Sequence, residues 1–291
     1  MSPPDSSALL RAMESPSPIP RFLKEIVGWN QTVQDWGRFL AASPGGCFVA
    51  ELDGKVCGTA TTISYEERFA WVGMVLVDPE FRGRGLGATL LARAIEHLDA
   101  SKVSTIKLDA TPLGKPLYEK LGFMSEYEIE RWTLRTSSAS STKTHRSRPP
   151  GLLSPDSLDS IFELDRDIFG ADRSSLLESL HQEVPDFTFA IRNADIVEGY
   201  GFGRRGCYAD HLGPWMATDA QVARQLLEAF LGSCGRDTVV VDCLRSNTMA
   251  RSLLQSFGFT YSRPLTRMYR GANLHPGRVE RLCAILGPEF G

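Results

Sequence analysis

The spacing of apolar positions divides the chain into two runs of strands and helices separated by a polar stretch. In the first run, Ala8 to Met13 reads as a short edge strand, stopped by the Ser-Pro repeat at 15–18. Arg21 to Val27 reads as a helix closing near Gly28, and a second helix carries Val33, Trp36, Phe39 and Leu40 on one side. Cys47 to Leu52 and Val56 to Tyr65 alternate as strands across Asp53-Gly54, a hairpin signal. Phe69 to Val77 is a further strand. The helix after it has one apolar face, Leu86, Leu90, Leu91, Ala94 and Leu98. Val103 to Asp109 reads as a buried strand, Leu113 to Leu121 as a short helix capped by Gly122, and Phe123 to Leu134 as a closing hairpin.

The second run repeats the first. Two helices, Ser157 to Phe169 and Ser174 to Gln182, precede strands at Phe187 to Ile191 and Ile196 to Gly203. His211 to Met216 is a strand, Val222 to Leu231 a helix, and Thr238 to Asp242 (TVVVD) matches Thr105 to Asp109 (TIKLD). Leu253 to Phe259 matches Leu117 to Phe123. Between the runs, Arg135 to Gly151 (RTSSASSTKTHRSRPPG) is almost free of apolar residues and reads as a flexible linker. The expected organisation is 8–134, a linker 135–151, and 152–291, in a mixed α/β (α+β) class.

The stretch VLVDPEFRGRGLGATLL, Val75 to Leu91, carries the chemistry. Three glycines within six residues bare the backbone at a helix start. With the helix dipole and Arg82 and Arg84, this makes a socket for a diphosphate. A P-loop would need Gly-Lys-Ser/Thr, which is missing. Gly83, Gly85 and Ala88 match a dinucleotide fingerprint, with Asp109 ending a later strand. That motif needs its first glycine directly after the strand, and Asp78 to Arg82 intervene. A plain solvent turn needing positive φ is the bland alternative.

Composition narrows the class. Hydrophobic residues make up 42% and charged residues 23%, as in globular proteins. A net charge of −3 argues against a nucleic-acid platform. The six cysteines form no C-x-x-C pair and no Cys/His cluster, so no metal is expected and the thiols should be reduced. No membrane span or secretory signal is evident, and a cytoplasmic location is expected.

Arg82, Gly85 and Gly87 also fit Q/R-x-x-G-x-G/A, preceded by Val-Leu-Val-Asp-Pro, and Pro116-Leu117-Tyr118-Glu119-Lys120-Leu121-Gly122-Phe123 follows downstream. In these motifs the chain resembles the GCN5-related N-acetyltransferases (GNATs). The resemblance spans nearly the whole chain, with GWNQT…DW at the start and Arg267 to Gly271 and Gly287-Pro288-Glu289 near the end. It is most specific over Val75 to Phe123. It resembles the arrangement in which an active N-terminal unit precedes a degenerate one. Acetyl-CoA is then the implied donor. Arg82, Gly83, Arg84, Gly85, Leu86, Gly87 and Ala88 would grip its diphosphate. Val75, Leu76 and Val77 would bond its pantetheine as an added strand would, and backbone amides near Val75 would polarise the thioester carbonyl.

The resemblance also places Tyr118 at the thioester sulfur. A phenol, pKa about 10, can serve a leaving thiolate of pKa about 8.5 without itself ionising. Core packing is the alternative reading. The base stays open between Asp109, Glu66, Glu67 and bulk water, and Asp109 equally suits a helix cap. Trp29, Gln31 and Trp36 would lie on the acceptor side, or pack the core. In the second run, Trp215 to Ala220 replaces the glycine cradle, Asp219 would repel a diphosphate, and Leu254 stands in place of Tyr118. The second unit should therefore be structural or cover the acceptor site. The expected activity is N-acetylation of a small-molecule primary amine. A non-catalytic acyl-CoA module and a protein or peptide acetyltransferase are the rivals. Exposed sheet edges allow a homodimer.

Overall fold

The structure, a computed structural model, describes residues 9–15, 29–135 and 158–291. The expected helix at Arg21 to Val27 and the body of the linker lie outside these residues; Arg135 itself ends a strand.

The first half contributes β1 (Leu9–Ala12), α1 (Val33–Ala42), β2 (Phe48–Leu52), β3 (Lys55–Tyr65), β4 (Phe69–Val77), α2 (Leu86–Ala100), β5 (Thr105–Ala110), α3 (Lys115–Lys120) and β6 (Met124–Arg135). The second contributes α4 (Asp159–Phe169), α5 (Ser174–Glu183), β7 (Phe189–Asn193), β8 (Ile196–Arg205), β9 (Asp210–Ala217), α6 (Ala220–Ser233), β10 (Thr238–Leu244), α7 (Thr248–Ser256), β11 (Thr260–Gly271) and β12 (Leu282–Ala284). The 3.6-residue apolar period gives the described helices and the alternation gives β1 to β5 and β7 to β10 to within a few residues, whereas β11 and β12 have no counterpart among the expected strands. α1 starts on a capping box, in which Thr32 and Asp35 satisfy each other's backbone amides.

All strands join one sheet in the order β1-β2-β3-β4-β5-β11-β6-β10-β12-β9-β8-β7. The order is nearly palindromic about the β11–β6 pair. The expected hairpin at Phe123 to Leu134 is therefore corrected. That stretch is one strand, β6, and it pairs with β11 and β10 of the second half. β11 in turn lies between β5 and β6. The turn between two hairpin strands needs residues that the run Ser125 to Thr133 lacks, so the strand extends and finds its partners across the molecule.

One apolar cluster joins both halves, with Trp36, Phe39 and Trp71 from the first and Phe169, Phe202 and Phe290 from the second. A second lies under α2, with Ala70, Val72, Leu90, Leu91 and Leu98. A third lies under α6 and α7. The six cysteines are free thiols. No helix among the described residues is long and apolar enough to cross a membrane.

Candidate active site

β4 and β5 run parallel but pair only at Ala70–Ile106 and Trp71–Lys107. Beyond Trp71 they part. No strand among the described residues pairs with Val72 to Val77 on that side. On its other side β4 carries a bulge. Thr61 pairs with Gly73 and Thr59 with Leu76, and Met74 sits at φ 50°. This is a sparsely allowed conformation for a non-glycine residue. Thr59 Oγ1 donates to the Met74 carbonyl at 2.8 Å and holds it. Val75 thus has no register partner on β3, and the bulge re-aims its amide.

The open end of the gap meets the glycine loop. Asp78 caps the turn at Pro79 to Phe81 by accepting from the Glu80 amide at 2.9 Å. Gly83 and Gly85 have φ of 77° and 82°. Gly85 caps α2, a helix of 15 residues, with no side-chain bond. No backbone amide from Gly83 to Ala88 donates to another described residue. An α-helix leaves its first amides without intrahelical partners, and here a glycine cap leaves them bare for an anion. Arg82 bends back to the Val77 carbonyl (3.2 Å), and Arg84 lies over the Phe81 ring. Leu86 packs with Val75 and Val77 on the α2 side of the sheet.

Tyr118, on α3, packs onto that same cluster and against the edge of Phe123. Burial pushes its phenol up to about 12. Its hydroxyl bonds no described residue, and its ring lies beside Gly114.

The structure redirects the other expected site residues. Asp109 is neither a free base nor a helix cap. Arg267 of β11 lies opposite it, and Nε and Nη2 donate to its two carboxylate oxygens at 2.9 and 2.8 Å. Both side chains are buried. Burial pushes the Asp109 carboxyl up, against the pull of Arg267. Glu66 accepts from Arg166 and from the Asp172 amide, fastening the halves together, and Glu67 is exposed. Trp36 is a core residue, edge-on to Phe39. Gln31 donates to Glu289 at 2.8 Å, and Trp29 packs half-buried on the shared core.

Sequence reasoning missed the residues that surround the closed end of the gap. A small cavity there is lined by Phe69, Trp71, Lys107, Tyr127, Phe169 and Arg267. Arg267 lies 4.5 Å over the Trp71 ring and donates to the Tyr127 hydroxyl. Val279 and Leu282 of the second half complete the wall.

The second half has the same frame with both openings shut. β9 and β10 pair in parallel only from Asp210 to Leu212. β12 then inserts between them, pairing with Met216 and Trp215 on one side and Cys243 on the other. It occupies the slot that stays open between β4 and β5. At the start of α6, the Asp219 carboxylate accepts from the amides of Gln221 and Val222, at 2.8 and 2.9 Å. These are the helix-start positions left bare in α2. Leu254 is fully buried. The equivalent pair is Arg131–Asp242, its carboxylate buried and its guanidinium partly so, with bonds of 2.8 and 2.7 Å, so each half's strand-end aspartate is held by an arginine from the other half.

Comparison with known proteins agrees with this frame. Residues 11–123 match the acetyltransferase (GNAT) family, and residues 161–284 match an acetyltransferase (GNAT) domain. The chain is 26% identical to the holothin acyltransferase of Pseudoalteromonas sp. over 269 residues, 90% of this chain and 87% of that one. A Pyrococcus horikoshii protein solved as a candidate acetyltransferase superposes with a TM-score of 0.79 at 25% identity, covering 98% of this chain and 96% of the other. A tandem GNAT protein from the clavulanic acid biosynthesis pathway shares the fold, with a TM-score of 0.65 at 14% identity over 91% and 98% of the two chains. The chain belongs to the GCN5-related N-acetyltransferases, as a tandem enzyme with two GNAT units.

Proposed function

We propose that the first unit, residues 8–134, transfers the acetyl group of acetyl-CoA to a primary amine of a small molecule, and that the second unit, residues 152–291, is degenerate. The observation that carries this reading is the row of amides from Gly83 to Ala88, without partners among the described residues, at the end of β4 where β5 no longer pairs with it. The diphosphate binds the loop. The pantetheine runs back along β4, bonding Val75, Leu76 and Val77 as an added strand would. Six residues from Val77 to Trp71 span about 20 Å of strand, so the acyl end points to the closed end of the gap. The Val75 amide polarises the thioester carbonyl. The amine attacks that carbon, and the C–S bond breaks. Tyr118 gives its proton to the departing sulfur and is reprotonated from solvent. The amine's surplus proton leaves to water. The enclosed cavity supports a small acceptor over a protein tail, because the second half walls it off.

The test is coenzyme A release from acetyl-CoA across an amine panel, with Tyr118→Phe beside the wild type. Turnover on a small amine that falls about 10²-fold in the variant is expected. Coenzyme A binding without turnover on any amine would instead identify a non-catalytic acyl-CoA module.

A further inference from the structure

On the reading above, the Val75 amide must be held at a fixed angle to the thioester carbonyl. The strand that carries it has few neighbours to hold it there. Beyond Trp71, β5 no longer pairs with β4. On the other side the bulge leaves Gly73 and Leu76 as the nearest paired residues, opposite Thr61 and Thr59. Between them Met74 keeps a φ of 50°, a conformation that persists only where the surroundings over-determine it. The Thr59 hydroxyl fixes the Met74 carbonyl from one direction. A second restraint comes from the far end of the chain.

Glu289 lies against Gly73. A Cβ on Gly73 would stand 2.7, 3.1 and 3.3 Å from the Glu289 carbonyl oxygen, α-carbon and carbonyl carbon, so the two backbones touch. The contact falls on the face of β4 that carries Trp71 and Met74, opposite the α2 face that carries Val72 and Val75. The tail that presents Glu289 is itself pinned. The Pro288 carbonyl accepts from Trp71 Nε1 at 2.9 Å, the Phe290 carbonyl from the Tyr65 hydroxyl at 2.6 Å, and the Gly291 carbonyl from Arg173 Nη1 at 2.8 Å. Phe290 stacks on Phe39 of α1, with ring centres 4.6 Å apart. The Glu289 side chain is buried, and its Oε1 accepts both from Gln31 Nε2 at 2.8 Å and from Arg204 of β8. Arg204 also donates to Asp35 of α1, and Arg38 joins Asp35 to Glu183. Glu289 Oε2, like Gln31 Oε1 and Arg204 Nε, has no partner among the described residues. Buried polar atoms without partners cost stability, so apolar packing would serve better if filling space were all that the residue did. What the carboxylate provides is an anchor, through Oε1, for the backbone that touches β4.

Resting on that reading, we infer that residues 287–291 are a positioning element of the first unit's site. They press on Gly73, hold the Met74 bulge in place and so aim the Val75 amide at the thioester carbonyl. Glu289 is a positioning residue: it touches neither acetyl-CoA nor the amine, and no proton passes through it. The second unit thereby acts on the reaction step and leaves donor binding alone.

The test uses the full chain with carbonyl-labelled acetyl-CoA and no acceptor. A hydrogen bond to a carbonyl lowers its stretching frequency, so the infrared shift on binding reports the Val75 amide itself. Gly73→Ala wedges the tail away from β4. Coenzyme A affinity by calorimetry should stay within about twofold, because the amides at the start of α2 are untouched. The infrared shift should fall by more than half, and kcat on the best amine of the panel by about 10²-fold. Tyr65→Phe frees the Phe290 carbonyl and should lower kcat about fivefold. In the double variant the looser tail yields to the new Cβ, so its kcat should exceed the product of the two single losses by at least about threefold. Glu289→Ala should lower kcat at least about tenfold, and Glu289→Gln, which keeps an acceptor for Gln31 and Arg204, should recover most of that loss. Three results each overturn the inference and leave the acetyltransferase reading standing: an undiminished infrared shift in Gly73→Ala, losses that simply multiply in the double variant, or Glu289→Gln as impaired as Glu289→Ala, which would make the carboxylate a proton acceptor. If Gly73→Ala fails to fold, the infrared shift and kcat of Tyr65→Phe and of the two Glu289 variants decide. A wild type that binds acetyl-CoA with no infrared shift and no turnover on the panel defeats both readings together.

Discussion

Replacing Arg267 by methionine tests how far the two halves depend on each other. Asp109 on β5 and Arg267 on β11 face each other across paired strands, with both side chains buried and two bonds of 2.9 and 2.8 Å between them. Removing the guanidinium leaves a carboxylate out of water with no counter-charge. Breaking a buried pair from one side costs about 3–5 kcal/mol. At about 2–3 °C per kcal/mol for a chain of this size, Tm should fall by about 6–15 °C. The double variant Asp109→Asn, Arg267→Met removes both charges and keeps the volume. Such replacements are often neutral, so most of the loss should return. Thermal unfolding and guanidinium titration of the wild type, the two single variants and the double variant complete the cycle. An Arg267→Met protein within about 1 kcal/mol of wild type, or a double variant no better than that single one, would show that the pair does not couple the halves.

Four other outcomes follow from the geometry. Gly85→Asp puts a carboxylate at a φ of 82° beside the bare amides, and coenzyme A affinity by calorimetry should be lost. Calorimetry on the wild type should give one coenzyme A per chain, because β12 and Asp219 close the second site; two per chain would contradict this. Burial pushes the Asp242 carboxyl up, but Arg131 and His211 override it and hold the group well below the usual carboxylate range. Its stabilising contribution is therefore complete above the unfolded pKa of about 3.9 and declines below about pH 4, by up to about 1.4 kcal/mol per pH unit. Asp242→Asn should flatten that acid limb in denaturant titrations. Finally, residues 1–145 and 146–291 made separately should each be insoluble or aggregated. Co-expressed, they should form a 1:1 complex that turns over acetyl-CoA, since β6 and β11 each lie in the other half's sheet.

Much of this was legible in the sequence because it is local. The glycine loop, its helix and the short helix bearing Tyr118 are set by backbone needs and by periodicity, and both can be read along the chain. The internal repeat was also visible, including the match of Asp109 with Asp242. What the repeat could not say is which copy each strand joins. β6 pairs with β10 and β11 through backbone bonds that any alternating stretch can make, so the exchange leaves no mark in residue types. A hint was present in Arg131 and Arg267, which fall at the same place after Gly122-Phe123 and Gly258-Phe259. A buried arginine on a strand calls for a carboxylate, and the two aspartates were already singled out. Asp109 was misjudged because a strand-end carboxylate looks like a base until its partner, 158 residues away, is seen.

The exchange ties the two units together through the sheet itself. In this chain β11 covers β5, and β6 covers β10. The second half also supplies Arg267, Phe169, Val279 and Leu282 to the cavity beside the first unit's gap. Its β12 plug continues into residues 285–291, which return to the first half, where the Pro288 carbonyl accepts from Trp71 Nε1 at 2.9 Å and the Phe290 carbonyl from the Tyr65 hydroxyl at 2.6 Å. Gly73 has no room for a side chain because the Glu289 carbonyl would lie 2.7 Å from its Cβ. The same segment that shuts the second slot therefore packs on the strand that forms the first.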